Sequence, residues 1–183
     1  MTISDEELMG RYQSGDAGGM SELIDRFRRP LFTVIVRMVG DRNDAEDIFQ
    51  ETFCRVLKHH ERFDAERKFS TWLFAIACNL CRDHLRKDRR SVEFTTEELP
   101  EVGGDENPET DSFRSEVRAA LDMALKRLPA DQREVFLLRE YGGLAFKDIA
   151  ELTQSNLNTV LGRMHTAIKK LRVELSGLME GAR

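Results

Sequence analysis

Apolar residues return every three or four positions along most of this chain, the repeat of amphipathic helices and not of strands. The stretch "GGMSELIDRFRRPLFTVIVRMVGD" sets Met20, Leu23, Ile24, Phe27, Leu31, Val34, Ile35 and Met38 on one such face. Pro30 is expected to kink or restart that helix, and Gly40-Asp41 to close it. A shorter helix precedes it, with an N-cap at Ser4, Leu8 on its apolar side and an end near Gly15. In the next helix Ala45, Ile48, Phe49, Thr52, Phe53, Val56 and Leu57 form a stripe. A fourth opens at a Ser70 or Thr71 cap and runs through Trp72, Leu73, Ile76, Ala77 and Leu80 into a basic end. Four such helices on short turns close one core.

The pattern then lapses. "SVEFTTEELPEVGGDENPETDS" has two prolines, paired glycines and little periodicity, and residues 91–113 carry eight acids with no Lys or Arg. Such a segment repels itself and reads as a flexible linker. Periodicity resumes beyond it, and Pro129 and Gly142-Gly143 divide the remainder into four or five further helices. The expected fold is all-α: a helical domain over 1–90, an acidic linker over 91–113 and a second helical domain over 114–183.

Composition modifies this picture in one respect. A net charge of −5 argues against a nucleic-acid partner, but the charge is unevenly placed. "CRDHLRKDRR" holds five bases against two acids, and four bases with no acid lie between Leu152 and Val173. No stretch approaches the roughly 20 apolar residues of a membrane span, so no membrane insertion is expected. The acidic start "MTISDEELMG" lacks the features of a signal peptide, and three cysteines give no disulfide framework. A cytoplasmic location is the expectation.

Three clusters carry candidate chemistry. The face of "DAEDIFQETF" opposite the core shows Asp44, Glu46, Asp47, Gln50 and Glu51, either as solvated charge or as a binding surface on a rigid helix. "FDAERKFSTWLFAIACNL" mixes Phe63, Phe69, Trp72 and Phe74 with Arg67 and Lys68. Aromatics beside cations either fill a core or stack unpaired bases along a phosphate backbone. Trp72 is placed in the core, and Phe69 with the two cations before it is the better base-contacting candidate. Cys78, Cys81 and His84 match a zinc spacing in number, but positions i, i+3 and i+6 spread around a helix and no fourth ligand is near. No nucleophile triad, phosphate loop or paired-acid site emerges, so neither an enzyme nor a cofactor is expected. Last, "DIAELTQSNLNTVLGRMH" has the spacing of a helix-turn-helix. Ile149, Ala150, Val160 and Met164 sit at packing positions, yet its turn, Thr153-Gln154-Ser155, has no glycine.

Together these stretches resemble the extracytoplasmic-function (ECF) sigma factors of bacterial RNA polymerase. "DRNDAEDIFQETFCRVLKHHERFDAERKFSTWLFAIACNLCRDHLRK" is similar to sigma region 2, and "ALKRLPADQREVFLLREYGGLAFKDIAELTQSNLNTVLGRMHTAIKKLR" to region 4. The resemblance implies a promoter-specificity subunit that binds core polymerase and recognises and melts promoter DNA. Asp47, Gln50 and Glu51 would contact the β′ clamp helices, and the β flap would be a second contact on the core. Asn79, with Phe69 and the loop around Lys68, would capture a base flipped from the −10 element, since a base must leave its stack to be read on its edge. Arg82, Arg86 and Lys87 would follow the adjacent phosphates, and the acidic linker would thread channels otherwise taken by nucleic acid. In region 4, Asn156, Asn158 and Thr159 at the start of the recognition helix would meet −35 base edges. Arg163, His165, Lys169 and Lys170 would hold the backbone. The family also implies an anti-sigma partner.

This chain departs from the family pattern at the helix-turn-helix. Gln154-Ser155 replaces Gly and an aliphatic residue, and Leu161-Gly162-Arg163 stands where Lys-Ser-Arg is usual, followed by Thr166 and Ile168. A glycine inside a helix costs about 1 kcal/mol relative to alanine, and each lost phosphate contact weakens binding. Weak autonomous −35 binding is therefore expected. The competing reading is a sigma-like polymerase-binding regulator with little promoter specificity.

Overall fold

The computed structural model describes residues 3–88 and 111–181. Among these every regular element is a helix. Helix α1 (Asp5–Gln13) begins on a reciprocal cap. The Glu7 N–H donates to Ser4 Oγ at 3.1 Å, and the Ser4 N–H donates to Glu7 Oε2 at 2.9 Å. Helix α2 (Ala17–Val39) lies close against α1. A Cβ placed on Gly19 would stand 2.3 Å from the Leu8 carbonyl oxygen, so only glycine permits this approach.

Of the kink or restart expected at Pro30, the restart does not occur, and α2 runs through the proline. Proline there lacks the N–H for one backbone bond, while Leu23, Leu31, Val34 and Ile35 on either side have no exposed surface. Burying each such side chain contributes about 1.5–3 kcal/mol, enough to carry the helix across the defect. Gly40 ends α2 in the left-handed region at φ 88°, its N–H donating to the Val36 carbonyl. Asp41 then caps α3 (Arg42–His59) by accepting from the Asp44 N–H at 2.9 Å. Ala45, Ile48, Thr52, Phe53 and Val56 of α3 are buried, while Leu57, expected on the same stripe, is exposed.

A 3-10 turn (His60–Arg62) leads to α4 (Phe69–Asp88). Neither Ser70 nor Thr71 is its cap, because the helix starts one residue earlier. The Phe69 N–H donates to Glu6 Oε1 of α1 at 3.0 Å. A carboxylate from a separate helix thus supplies what the local sequence was expected to supply.

The second group comprises α5 (Asp111–Arg127), α6 (Ala130–Glu140), α7 (Phe146–Leu152) and α8 (Leu157–Gly181). Its core is built from Leu125, Val135, Leu137, Leu138, Ile149, Val160 and Ala167. The acidic segment read as a linker falls mostly outside the described residues, and α5 already begins at Asp111. The two groups meet directly, with α6 against α2 and α7 against α4. At the centre of that contact Arg37 of α2, 8% exposed, donates from Nε to Asp122 of α5 at 2.8 Å. Its guanidinium also lies 4.5 Å from the centre of the Tyr141 ring, and burial pushes the Tyr141 phenol up from its ordinary range.

Candidate polymerase and nucleic-acid interfaces

The acidic face of α3 points outward. Asp47, Gln50 and Glu51 are all exposed, one turn apart and opposite buried Ile48 and Thr52. Glu51 holds Arg55 at 2.7 Å and Glu46 holds Arg42 at 2.9 Å, both as exposed i,i+4 pairs. Such pairs contribute only about 0.3–0.5 kcal/mol to a helix, so an incoming partner displaces them at little cost. The face is a rigid row of acceptors with no packing duty.

Helix α4 carries the largest set of predicted contacts, and one of them is corrected. Phe69 has no exposed surface. Its ring packs edge-on against Phe27, Phe63 and Trp72, which leaves no face for a nucleobase. Trp72, assigned to the core, packs against it while partly buried, 5.3 Å from Phe63 between ring centres. The aromatic cluster therefore serves packing at Phe69 and leaves Trp72 at its edge.

The polar residues of α4 remain on the surface. Asn79 is exposed, and its Oδ1 accepts from Arg82 at 2.8 Å. Arg86 pairs with Asp83 at 2.6 Å, and Lys87 is exposed. Arg82 also donates to Glu134 of α6 at 2.6 Å. Lys68, just before α4, meets Asp148 of α7 at 2.7 Å, and Arg67 lies 3.7 Å from Glu151. These acidic partners were not anticipated. One signal was legible: Arg37 interrupts an otherwise apolar stripe, and an unpaired arginine is almost never buried.

Cys78, Cys81 and His84 do not converge. Both thiols are buried, and the Cys78 thiol points at Met38 Sδ, 3.9 Å away. Burial raises Cys78 well above its usual range and pushes Cys81 up to about 12, the reverse of what a thiolate ligand requires. His84 turns instead to Asp44, 3.2 Å away. The helical spacing alone separates them.

In the helix-turn-helix, Gln154 takes the left-handed conformation at φ 51°, the backbone that a glycine would adopt freely. The turn keeps its shape with a residue that does not favour it. Asn156 accepts from the Thr159 N–H at 2.7 Å, so its amide oxygen caps α8. Arg163 folds back, donating to Ser155 Oγ at 3.0 Å and pairing with Asp131 of α6 at 3.0 Å. Asn158, Thr159, His165, Lys169 and Lys170 are left at the surface, though Thr159 is engaged through its backbone. Leu157 and Leu161 are exposed beside them, 45% and 41%.

An all-helical pair with an acidic α3 face, a basic α4 end and a helix-turn-helix accords with the profile of sigma-70 region 2, which matches residues 23–91. The profile of sigma-70 region 4 matches residues 118–171. The RNA polymerase sigma-H factor of Pseudomonas aeruginosa is 32% identical over 97% of both chains. The ECF sigma factor SigW of Bacillus subtilis is 30% identical, covering 97% of this chain and all of that one. The chain belongs to the ECF group of the sigma-70 family. This sigma factor thus binds RNA polymerase core and directs promoter-specific initiation, in a family of transcription regulators that are not enzymes. Its fold matches that of the sigma factor RpoE in complex with the anti-sigma factor NepR from Bartonella quintana. That match has a TM-score of 0.70 at 21% identity, over 86% of this chain and 96% of that one. Among the described residues no helix is long and apolar enough to cross a membrane.

Proposed function

We propose that Asp47, Gln50 and Glu51 of this sigma factor dock on the β′ clamp helices of core polymerase, and that α4 captures the −10 strand. The observation that carries the second assignment is Asn79, an exposed amide on a rigid helix with Arg82, Arg86 and Lys87 within the next two turns. An amide offers both donor and acceptor to a base edge, while the cations hold adjacent phosphates. Phe69, buried at the start of the same helix, packs the core and does not stack on the base. The helix-turn-helix then meets the −35 element through Asn158, with Thr159 beside it. His165, Lys169 and Lys170 lie along the phosphates, Asn156 caps α8 and Arg163 braces it. The β flap is the expected second contact on the core. An anti-sigma protein is the expected inhibitor, in a cytoplasmic cycle that involves no catalysis by this chain.

The polymerase-bound regulator with little promoter specificity has one observation in its favour: the first two turns of α8 hold no unengaged cation. Run-off transcription with core polymerase on a pool of randomised promoters separates the two. Starts sharing a −10 sequence that vanish in Asn79→Ala support the promoter-reading assignment. Core binding without specific starts replaces it with the regulator.

A further inference from the structure

Helix α8 turns one face to its own core and another to solvent. Val160, Met164, Ala167 and Leu171 are buried, and α8 packs on α6 and α7. Leu157, Asn158, Leu161 and His165 are exposed. The two leucines stand one turn apart in a row beside Asn158. A single exposed leucine calls for no explanation. Six large apolar side chains are exposed among the described residues, and only these two lie one turn apart on the same helix.

The opening turns of the second helix in a helix-turn-helix carry its base contacts. A leucine has no polar atom, so it can neither donate to a base edge nor accept from one. The major groove offers such a side chain one partner, the C5 methyl of thymine. Asn158, between the leucines in sequence, carries the donor and acceptor that suit adenine N6 and N7, and each adenine there pairs with a thymine. Guanine is read by arginine or lysine, and the first two turns have neither to spare. Arg163 is held by Ser155 and Asp131, while Lys169 and Lys170 lie further along. Gly162 adds no side chain, and the Thr159 hydroxyl suits any base. The chemistry of this face converges on A·T pairs.

We infer that Leu157 and Leu161 are specificity determinants of this sigma factor: they read thymine methyl groups in an A·T-rich −35 element, beside an adenine held by Asn158. The inference deepens the assignment of α8 to the −35 element and rests on it. A methyl group packed on a leucine leaves water, which favours thymine over the same base without its methyl. No phosphate takes part, so this preference should persist as salt rises while overall affinity falls.

The test uses holoenzyme assembled from the full chain and core polymerase. Run-off transcription from promoters randomised only across the −35 region, with a fixed −10 element that the same holoenzyme has selected, yields its preferred −35 sequence. Each thymine of that element, on either strand, is then replaced by deoxyuridine, which keeps the base pair and lacks only the methyl. At one thymine or more this should lower holoenzyme affinity for the promoter about fourfold, the effect of burying one methyl group. In Leu157→Ala/Leu161→Ala the same replacement should cost less than about 1.5-fold. Both leucines are exposed, so the variant should melt as the parent does and bind core polymerase equally well. The inference is overturned if deoxyuridine costs nothing in the parent, or as much in the leucine variant. Weakened core binding in that variant overturns it too and makes the leucines a polymerase contact. The triple variant Asn158→Ala/Lys169→Ala/Lys170→Ala separates the inference from its premise. If it selects the same −35 sequence as the parent, or if the parent selects none, α8 does not read this element and the inference falls with the assignment. If selection is lost in the triple variant while the parent tolerates deoxyuridine, the assignment stands and only the methyl reading is wrong.

Discussion

Beyond Asn79, the next two turns of α4 place Arg82, Arg86 and Lys87 beside an exposed amide; the first two turns of α8 place Leu157, Leu161 and Gly162 beside Asn158 and Thr159. One surface is rich in charge and half neutralised by its own neighbour. The other is open to solvent and short of charge. A reading head with few cations gains little from phosphates, so it depends on being delivered to its site. Fixing region 2 on polymerase does this, because tethering turns the second contact into an intramolecular one at high effective concentration. On the proposed assignments the two surfaces would have different roles, with α4 supplying affinity and strand capture and α8 adding discrimination once in place.

The largest effect should come from the comparison itself. Asn79→Ala should lower open-complex formation by about a hundredfold, the loss of a good base contact. Asn158→Ala on the same promoter should cost less than about tenfold. Equal losses, measured as open-complex lifetimes, would end the division of labour. Next, Asp122→Ala leaves Arg37 without its carboxylate and should lower stability to urea by about 2 kcal/mol, the contribution of a hydrogen bond to a charged group. The loss stays near that size because Arg37 reaches water once the two regions part. A smaller, favourable effect is expected from Gly162→Lys. Nothing lies within 4 Å of a Cβ at that position, so the helix should gain up to about 1 kcal/mol. Titrations against −35 duplex DNA should show the salt dependence steepen by about one phosphate contact. The smallest is Gln154→Gly, which relieves the left-handed strain but adds chain entropy to the unfolded state. The expected net gain is about 0.5 kcal/mol in thermal unfolding, with −35 affinity unchanged.

What the sequence made legible follows from what periodicity encodes. The faces of α2 and α3 could be read nearly residue by residue, because burial on one side of a helix imposes a repeat. The outward positions of Asp47, Gln50 and Glu51 came from the same repeat by complement, whereas Asn79 entered only through the resemblance to sigma region 2. Phe69 was misread because a residue at a loop–helix boundary has no periodic context, and its burial depends on Phe27 and Phe63 arriving from elsewhere in the chain. Asn156 and Arg163 entered as expected DNA contacts through the resemblance to region 4. Their engagement by Thr159, Ser155 and Asp131 is a matter of local geometry that composition does not carry. The contact between the two helical groups was hidden for a third reason: Glu134 and Asp148 are ordinary surface acids in sequence, and only the fold sets them against Arg82 and Lys68. The left-handed Gln154 was equally silent.

The bond from the Phe69 N–H to Glu6 ties the first turn of α1 to the first turn of α4. That bond closes a loop of 63 positions, so α1 cannot fray without leaving a leading amide of α4 unpaired. Order at one edge of the core is thereby made conditional on order at another.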